Sequence, residues 1–249
     1  MTDFSYQLYS SRNFGPLAET LKMVSELGYA QVEGYGGLYA DDTAVEVLKG
    51  HLAENGLSMP TGHVGFEMTR DMPQKVIEIA NAVGMKAVIA PIAPGLDLDA
   101  DGWRAFVKEF AEASKPILDA GLMYGFHNHH FEFMDKGLGV KPIELIMDGC
   151  PEAVLELDVA WVDRGGEDPI KWIAHYADRL IAAHVKDIAP EGECADEDGW
   201  ADVGHGRMDW AAIMGALGQT NAKYFVMEHD NPSDDRRFAS RSIAAARSF

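Results

Sequence analysis

Apolar positions follow two alternating rhythms along the chain. Short apolar runs fall at residues 6–9, 30–34, 58–63, 87–90, 122–127, 153–158, 180–186 and 223–229. Between them lie longer segments whose apolar residues recur every three or four positions, such as "PLAETLKMVSELG", "TAVEVLKGHLAENG", "MPQKVIEIANAVG" and "DGWRAFVKEFAEASKPILDAG", each closed by a glycine. "KPIELIMDG", "DPIKWIAHYA", "MDWAAIMGALG" and "DDRRFASRSIAAARS" continue the series. The first rhythm predicts strands and the second helices. The strand runs are apolar on both faces, as a helix-covered parallel sheet requires. Eight strand–helix units in 249 residues predict an α/β fold, a (β/α)₈ TIM barrel forming one domain over residues 1–249. The rival, a doubly wound open sheet, needs a glycine-rich phosphate turn after an early strand. "EGYGGLY" does not supply G-x-G-x-x-G. The longest irregular stretch is residues 187–207, where a loop of that length is expected to be functional or mobile.

Composition narrows the function classes. A formal net charge of -19 repels phosphate backbones and anionic lipid, so neither nucleic acid nor membrane is an expected partner. No apolar run is long enough to span a bilayer. The start, "MTDFSYQLYSSRNF", does not read as a secretory signal. The two cysteines, Cys150 and Cys194, do not make a disulfide framework, and a cytoplasmic setting is expected.

In a barrel of this kind chemistry gathers at the C-terminal ends of the strands. The second predicted strand ends at Glu33 and the third at His63. The fifth runs into His127, Asn128, His129 and Glu132, within "FHNHHFEF". The sixth ends at Asp158, the seventh carries His184, Lys186 and Asp187, and the eighth ends at Glu228 and His229. The fourth ends blandly in "APIAPG". Asp187 reads as a loop cap. Carboxylates gathered with imidazoles and no thiolate suit a divalent cation of mixed N/O ligation, which Mn, Mg, Co, Zn or Fe would satisfy.

The set "HNHHFEF", "ELDVAWVDRGGEDPIKWI", "HVKD", "VGHGRMDW" and "VMEHD" resembles, in order and over essentially the whole chain, the sugar-phosphate isomerase/epimerase superfamily. That group of xylose-isomerase-like TIM barrels includes ketose epimerases, inosose dehydratases and, more remotely, endonuclease IV. The resemblance implies one divalent ion held by Glu132, Asp158, His184 and Glu228. The alternation of side chains does not run straight from His127 to Glu132, so the chain must bend there, and His127 or His129 competes with Glu132 for the first ligand position. The resemblance further implies Glu132, Glu228 and His129 as proton-transfer groups and Lys186 as a stabiliser of a developing oxyanion. Glu33, His63 and His127 would meet substrate hydroxyls, and Arg207 an anionic substituent. Ketose epimerases of the tagatose type carry a histidine three residues after the sixth-strand aspartate; here Trp161 stands there, offering an aromatic face to a sugar ring or to its neighbours.

The implied activity is isomerisation or epimerisation of a keto sugar or related polyol. The ion polarises the carbonyl, a neighbouring base removes the adjacent proton, and an enediolate follows. A lyase or dehydratase acting on a keto-inositol or 3-keto-glycoside shares that first step. A non-catalytic sugar-binding barrel would keep the aromatic residues without needing the acidic set. A nuclease would need more histidines and a basic surface. Homodimers or homotetramers are what the resemblance implies for assembly.

Overall fold

The computed structural model describes residues 3–95 and 98–249. Eight parallel strands close into a barrel: β1 (Phe4–Gln7), β2 (Gln31–Gly34), β3 (Ser58–His63), β4 (Ala87–Ala90), β5 (Met123–His127), β6 (Val154–Asp158), β7 (Leu180–Val185) and β10 (Tyr224–Met227), with β10 completing the ring beside β1. The pair β8 (Asp187–Ile188) and β9 (Trp200–Ala201) forms a separate antiparallel sheet. The helices are α1 (Leu17–Glu26), α2 (Asp42–Glu54), α3 (Phe66–Asp71), α4 (Pro73–Val83), α5 (Ala100–Asp119), α6 (Pro142–Gly149), α7 (Val159–Arg164), α8 (Pro169–His175), α9 (Trp210–Leu217) and α10 (Asp235–Ala246). The closed parallel barrel with surrounding helices is the fold that the two rhythms predict.

Alternation within each strand divides the core. One parity carries Phe4, Tyr6, Val32, Val88, Tyr124, Phe126, Leu155, Leu157 and Val185, which pack with the helices in one large apolar cluster. The other parity points into the barrel. Its lower part is a small apolar plug of Ala87, Ile89, Ile181 and Ala182 with Met123, Val154 and Tyr224 against it. Its upper part is polar: Gln7, Glu33, His63, His127, Glu156, Asp158 and His184 are all buried. A barrel interior is usually filled by branched apolar side chains. The substitution of a charged layer for an apolar one is a standing cost to stability, which buried ionic groups repay only when they are mutually paired.

Several elements escaped the sequence pattern. The first strand spans Phe4–Gln7 rather than residues 6–9; it ends at Gln7 because the Gln7 side chain accepts the Tyr9 N–H at 3.1 Å and turns the chain into a 3₁₀ turn over Leu8–Ser11. Helices α3 and α7 are single short pieces after β3 and β6, too brief to show a period. Within residues 187–207 the chain is partly ordered by β8 and β9 rather than irregular throughout. Asp187 anchors this loop. Its carboxylate accepts the N–H groups of Ile188, Gly204, Gly206 and Met208 and the indole N–H of Trp210, at 2.8 to 3.2 Å. The backbone approaches so closely that a Cβ on Gly206 would lie 2.1 Å from Asp187 Oδ1. Replacing Asp187 by Asn withdraws the charge and one acceptor oxygen from five donors. We expect a loss of about 2–3 kcal/mol, the range for unsatisfying buried donors, read as a lowered denaturant midpoint with faster proteolysis between residues 189 and 205.

Candidate metal centre and active-site cavity

Four carboxylates and three imidazoles meet in the upper barrel. Asp158 and His184 face one another in the β6–β7 register, and His127 faces Glu156 across β5–β6. His184 is gripped on both ring nitrogens. Its Nδ1 lies 2.8 Å from Glu228 Oε2 and 3.9 Å from Asp158 Oδ2, while its Nε2 lies 2.8 Å from Glu33 Oε1 and 3.0 Å from Glu156 Oε1. His63 stacks on His184 at 5.3 Å and sets its Nε2 2.6 Å from Glu156 Oε1. Gln7 closes the floor by donating to Glu33 Oε1 at 2.7 Å.

The charges follow from these contacts. Burial works against the His184 imidazolium, but Glu228 and Glu156 outweigh it and raise its pKa well above the ordinary value. Burial likewise opposes ionisation of Glu156, which His184 and His63 overcome, holding it well below the usual range. Glu33, buried beside that anion, is pushed up to about 7. Burial lowers the His127 pKa to about 3 and that of His129 far below normal, so both are neutral imidazoles. Asp158 is pushed up to about 6 by burial, against the pull of Lys186.

Lys186 is wholly buried, with Nζ 2.6 Å from Asp230 Oδ2, 3.2 Å from Glu228 Oε2 and 3.5 Å from Asp158 Oδ2. Its ammonium lies 4.3 Å from the centre of the Trp200 ring and 5.0 Å from that of Trp161. Burial opposes its charge, and Asp230, Glu228 and Asp158 together restore it.

Two overlapping quartets hold donor atoms within 4.8 Å of one another: His127, Asp158, His184 and Glu228, and His63, His127, Glu156 and His184. They share two imidazoles. The first fits a divalent cation better, since it brings two carboxylates to the second's one. Asp158 Oδ2 is buried without a hydrogen bond, as is Glu156 Oε2 of the second, and Glu228 and His127 open onto the cavity. In the second, His184 Nε2 is already engaged by Glu33 and Glu156. A second carboxylate on the far nitrogen of a ligand histidine is the usual means of fixing its tautomer and raising its basicity.

The structure brings Asp158, His184 and Glu228 together as the sequence suggests, but sets His127 beside them and Glu132 apart. After β5 the chain bends. Asn128 takes both backbone groups of Asp158, its Oδ1 accepting the N–H at 3.0 Å and its Nδ2 donating to the carbonyl at 3.2 Å. Glu132 then folds back in a 3₁₀ turn, and its Oε2 accepts the His129 N–H at 2.8 Å. Burial pushes Glu132 up to about 8, so it is protonated at neutral pH.

A cavity of about 340 Å³ lies above the quartet, lined by Tyr9, Tyr35, Gly36, His63, Pro91, Ile92, His127, His129, Glu228 and Asp230. Of the residues expected at substrate, His63, His127, His129 and Glu228 are in that lining. Glu33 is in the floor, fully buried. Trp161 lies outside the lining, stacked on His130 at 5.2 Å and edge-on to Trp200 at 4.7 Å. Arg207 is half exposed and pairs with Asp163, also outside the lining. Glu156 and Gln7 were missed, although Glu156 sits two positions before Asp158 on the same face of the strand. Tyr9, Pro91 and Ile92 were missed because only charged strand ends were read as chemical.

A (β/α)₈ barrel with an acidic and imidazole cluster at the strand ends defines a class of metal-competent barrels built for small molecules. Residues 21–248 match the family model of the xylose isomerase-like TIM barrel, and the chain belongs to that family. Solved structures agree on the fold. A sugar phosphate isomerase/epimerase from Parabacteroides distasonis superposes with a TM-score of 0.80 at 20% identity, over 98% of this chain and 94% of that one. The probable 3-DHS dehydratase AsbF from Bacillus anthracis gives 0.78 at 12% identity, over 99% of both chains. An IolI protein with a bound zinc atom gives 0.76 at 15% identity, over 99% of this chain and 96% of that one. No curated protein matches the chain in sequence. Among the described residues, no helix is long and apolar enough to cross a membrane.

Proposed function

We propose that the protein is a divalent-metal-dependent isomerase or epimerase of a keto sugar or related polyol, acting in the cytoplasm. One observation carries the reading: four buried donors, His127, Asp158, His184 and Glu228, converge within 4.8 Å at the foot of an open cavity, with Asp158 Oδ2 unbonded. The likeness to a structure named as an isomerase/epimerase and to another holding zinc supports it. When bound, a divalent ion supplies a Lewis acid that acidifies the C–H beside a carbonyl.

The chain's own groups then move the proton. Glu228, held ionised by Lys186 and His184 against the cost of burial, is a carboxylate facing the cavity. His129, a neutral imidazole three strands round the barrel from Glu228, carries one N–H and one lone pair. Glu228 removes the proton and, as the carboxylic acid so formed, returns it at the neighbouring carbon in isomerisation; in epimerisation the His129 N–H delivers a proton to the first carbon, and exchange with solvent resets both groups. Lys186 holds a fixed positive charge beneath Glu228 and Asp230, ready to offset charge that develops in the cavity. Glu132 positions His129 through its backbone N–H.

Loss of a β-hydroxyl begins with the same proton removal, and the likeness to a dehydratase favours that outcome as the second reading. The test is incubation of the ion-loaded enzyme with keto sugars and keto-inositols in heavy water. We expect deuterium at the carbon beside the carbonyl, with an epimer or isomer as product; an unsaturated product would select elimination. No exchange with any ketone under full ion loading would sink the proposal.

A further inference from the structure

The cavity lining is of two kinds. His63, His127, His129, Glu228 and Asp230 are ionisable; Tyr9, Tyr35, Gly36, Pro91 and Ile92 are aromatic or apolar, with Tyr9 and Tyr35 following the neighbouring strands β1 and β2. We infer that Tyr9 and Tyr35 determine substrate class, presenting the aromatic surface against which the ring of an uncharged, ring-closed polyhydroxy ketone lies while its carbonyl end meets the ionisable groups. This rests on the proposed function above and names the substrate of the same site.

Three observations carry it. First, the tyrosines are built into place. Gln7, which donates to Glu33 in the barrel floor, also accepts the Tyr9 N–H, so Tyr9 is registered to the ionic layer beneath. The Tyr9 and Tyr35 rings meet edge to face at 5.4 Å and 80°. The Arg12 guanidinium backs Tyr9 at 3.8 Å from the ring centre and is itself tied to the carbonyls of Tyr9 and Asp230. Second, the space beside them is kept open. A Cβ on Gly36 would meet no atom within 4 Å, and about 340 Å³ sits at the low end of small-molecule sites, room for about one ring. Third, among the described residues no lysine or arginine is in the lining, and two carboxylates are. A phosphate would meet those carboxylates with no cationic side chain in the lining to receive it, while an aromatic face suits the C–H face of a closed ring better than a flexible open chain.

Saturation-transfer NMR on the metal-free full chain tests this apart from turnover. The probes are myo-inositol, methyl glucopyranoside, sorbitol and glucose phosphate. We expect transfer to the ring C–H protons of the first two, retained in Tyr35→Phe and lost in the double variant Tyr9→Ala with Tyr35→Ala, with little transfer to sorbitol or the phosphate. Thermal melts establish that the variants fold. In the ion-loaded enzyme each Tyr→Ala change should raise KM for a keto-inositol about tenfold with kcat little changed. Stronger transfer to sorbitol or glucose phosphate, no transfer to either ring, or transfer unchanged in the double variant would overturn the inference. Ring binding without ion uptake or exchange would instead refute the metal-dependent reading and leave the platform standing.

Discussion

Replacing Asp158 by Asn is expected to cut ion affinity and deuterium exchange by about two to three orders of magnitude while leaving the fold nearly as stable. The two oxygens of Asp158 have separate tasks. Oδ1 caps α7, accepting the N–H groups of Ala160 and Trp161 at 2.9 Å each. Oδ2 is unbonded and faces His184 and Lys186. Asparagine keeps the cap oxygen and removes the anion. Asp158→Ala removes both and should lose about 1 kcal/mol more from the missing cap. Elemental analysis after dialysis, exchange rates and melting temperatures of the pair separate the roles. Equal ion content in Asp158→Asn and the parent would rule out Asp158 as a ligand. Because a ligand carboxylate must be ionised and burial sets Asp158 at about 6, occupancy in the parent should fall as pH drops through that value.

The barrel was legible because its signal is long-range and redundant. Eight apolar runs buried on both faces alternate with eight periodic segments that bury one, and misplacing a boundary by two residues, as at β1, does not disturb the count. Asp158, His184 and Glu228 were legible for a related reason: a strand end in a barrel has one destination, the C-terminal face. That His127 rather than Glu132 stands beside them was not. The placement depends on Asn128 bonding both backbone groups of Asp158, a contact between β5 and β6 that no local pattern encodes. Glu156 was readable in principle from alternation with Asp158, yet a glutamate one full layer below a strand end contradicts the usual apolar filling of a barrel. The role of Asp187 as a loop anchor was anticipated, but not its five donors, which come from as far along the chain as Trp210. Arg207, expected at an anionic substituent, pairs with Asp163 on α7, a contact between loop and helix that the motif does not reveal.

Replacing Lys186 by Met should destabilise the ion-free protein by about 3–5 kcal/mol, the range for removing one partner from a buried ionic cluster. For a chain of this length that is a fall in melting temperature of about 10 °C. Among the described residues, the ammonium is the one positive charge within 3.5 Å of Asp158, Glu228 and Asp230 that is not an imidazolium. Methionine fills the space between Trp161 and Trp200 without it, so lost packing is not the cause. Without Lys186 the folded-state pKa values of Asp158 and Asp230, already raised by burial, rise further. A group with a raised folded pKa stabilises below its unfolded pKa and loses that contribution as pH climbs through the folded one. The variant's deficit should therefore shrink in acid and widen from the ordinary carboxylate range upward. A divalent ion held by Asp158 and Glu228 would neutralise two of the three uncompensated carboxylates, so added Mn or Zn should raise the melting temperature of the variant more than that of the parent. If the deficit is independent of pH and of ions, the three carboxylates are not a shared electrostatic unit. If it vanishes on ion addition, Lys186 is the charge that keeps the quartet folded until its cation arrives.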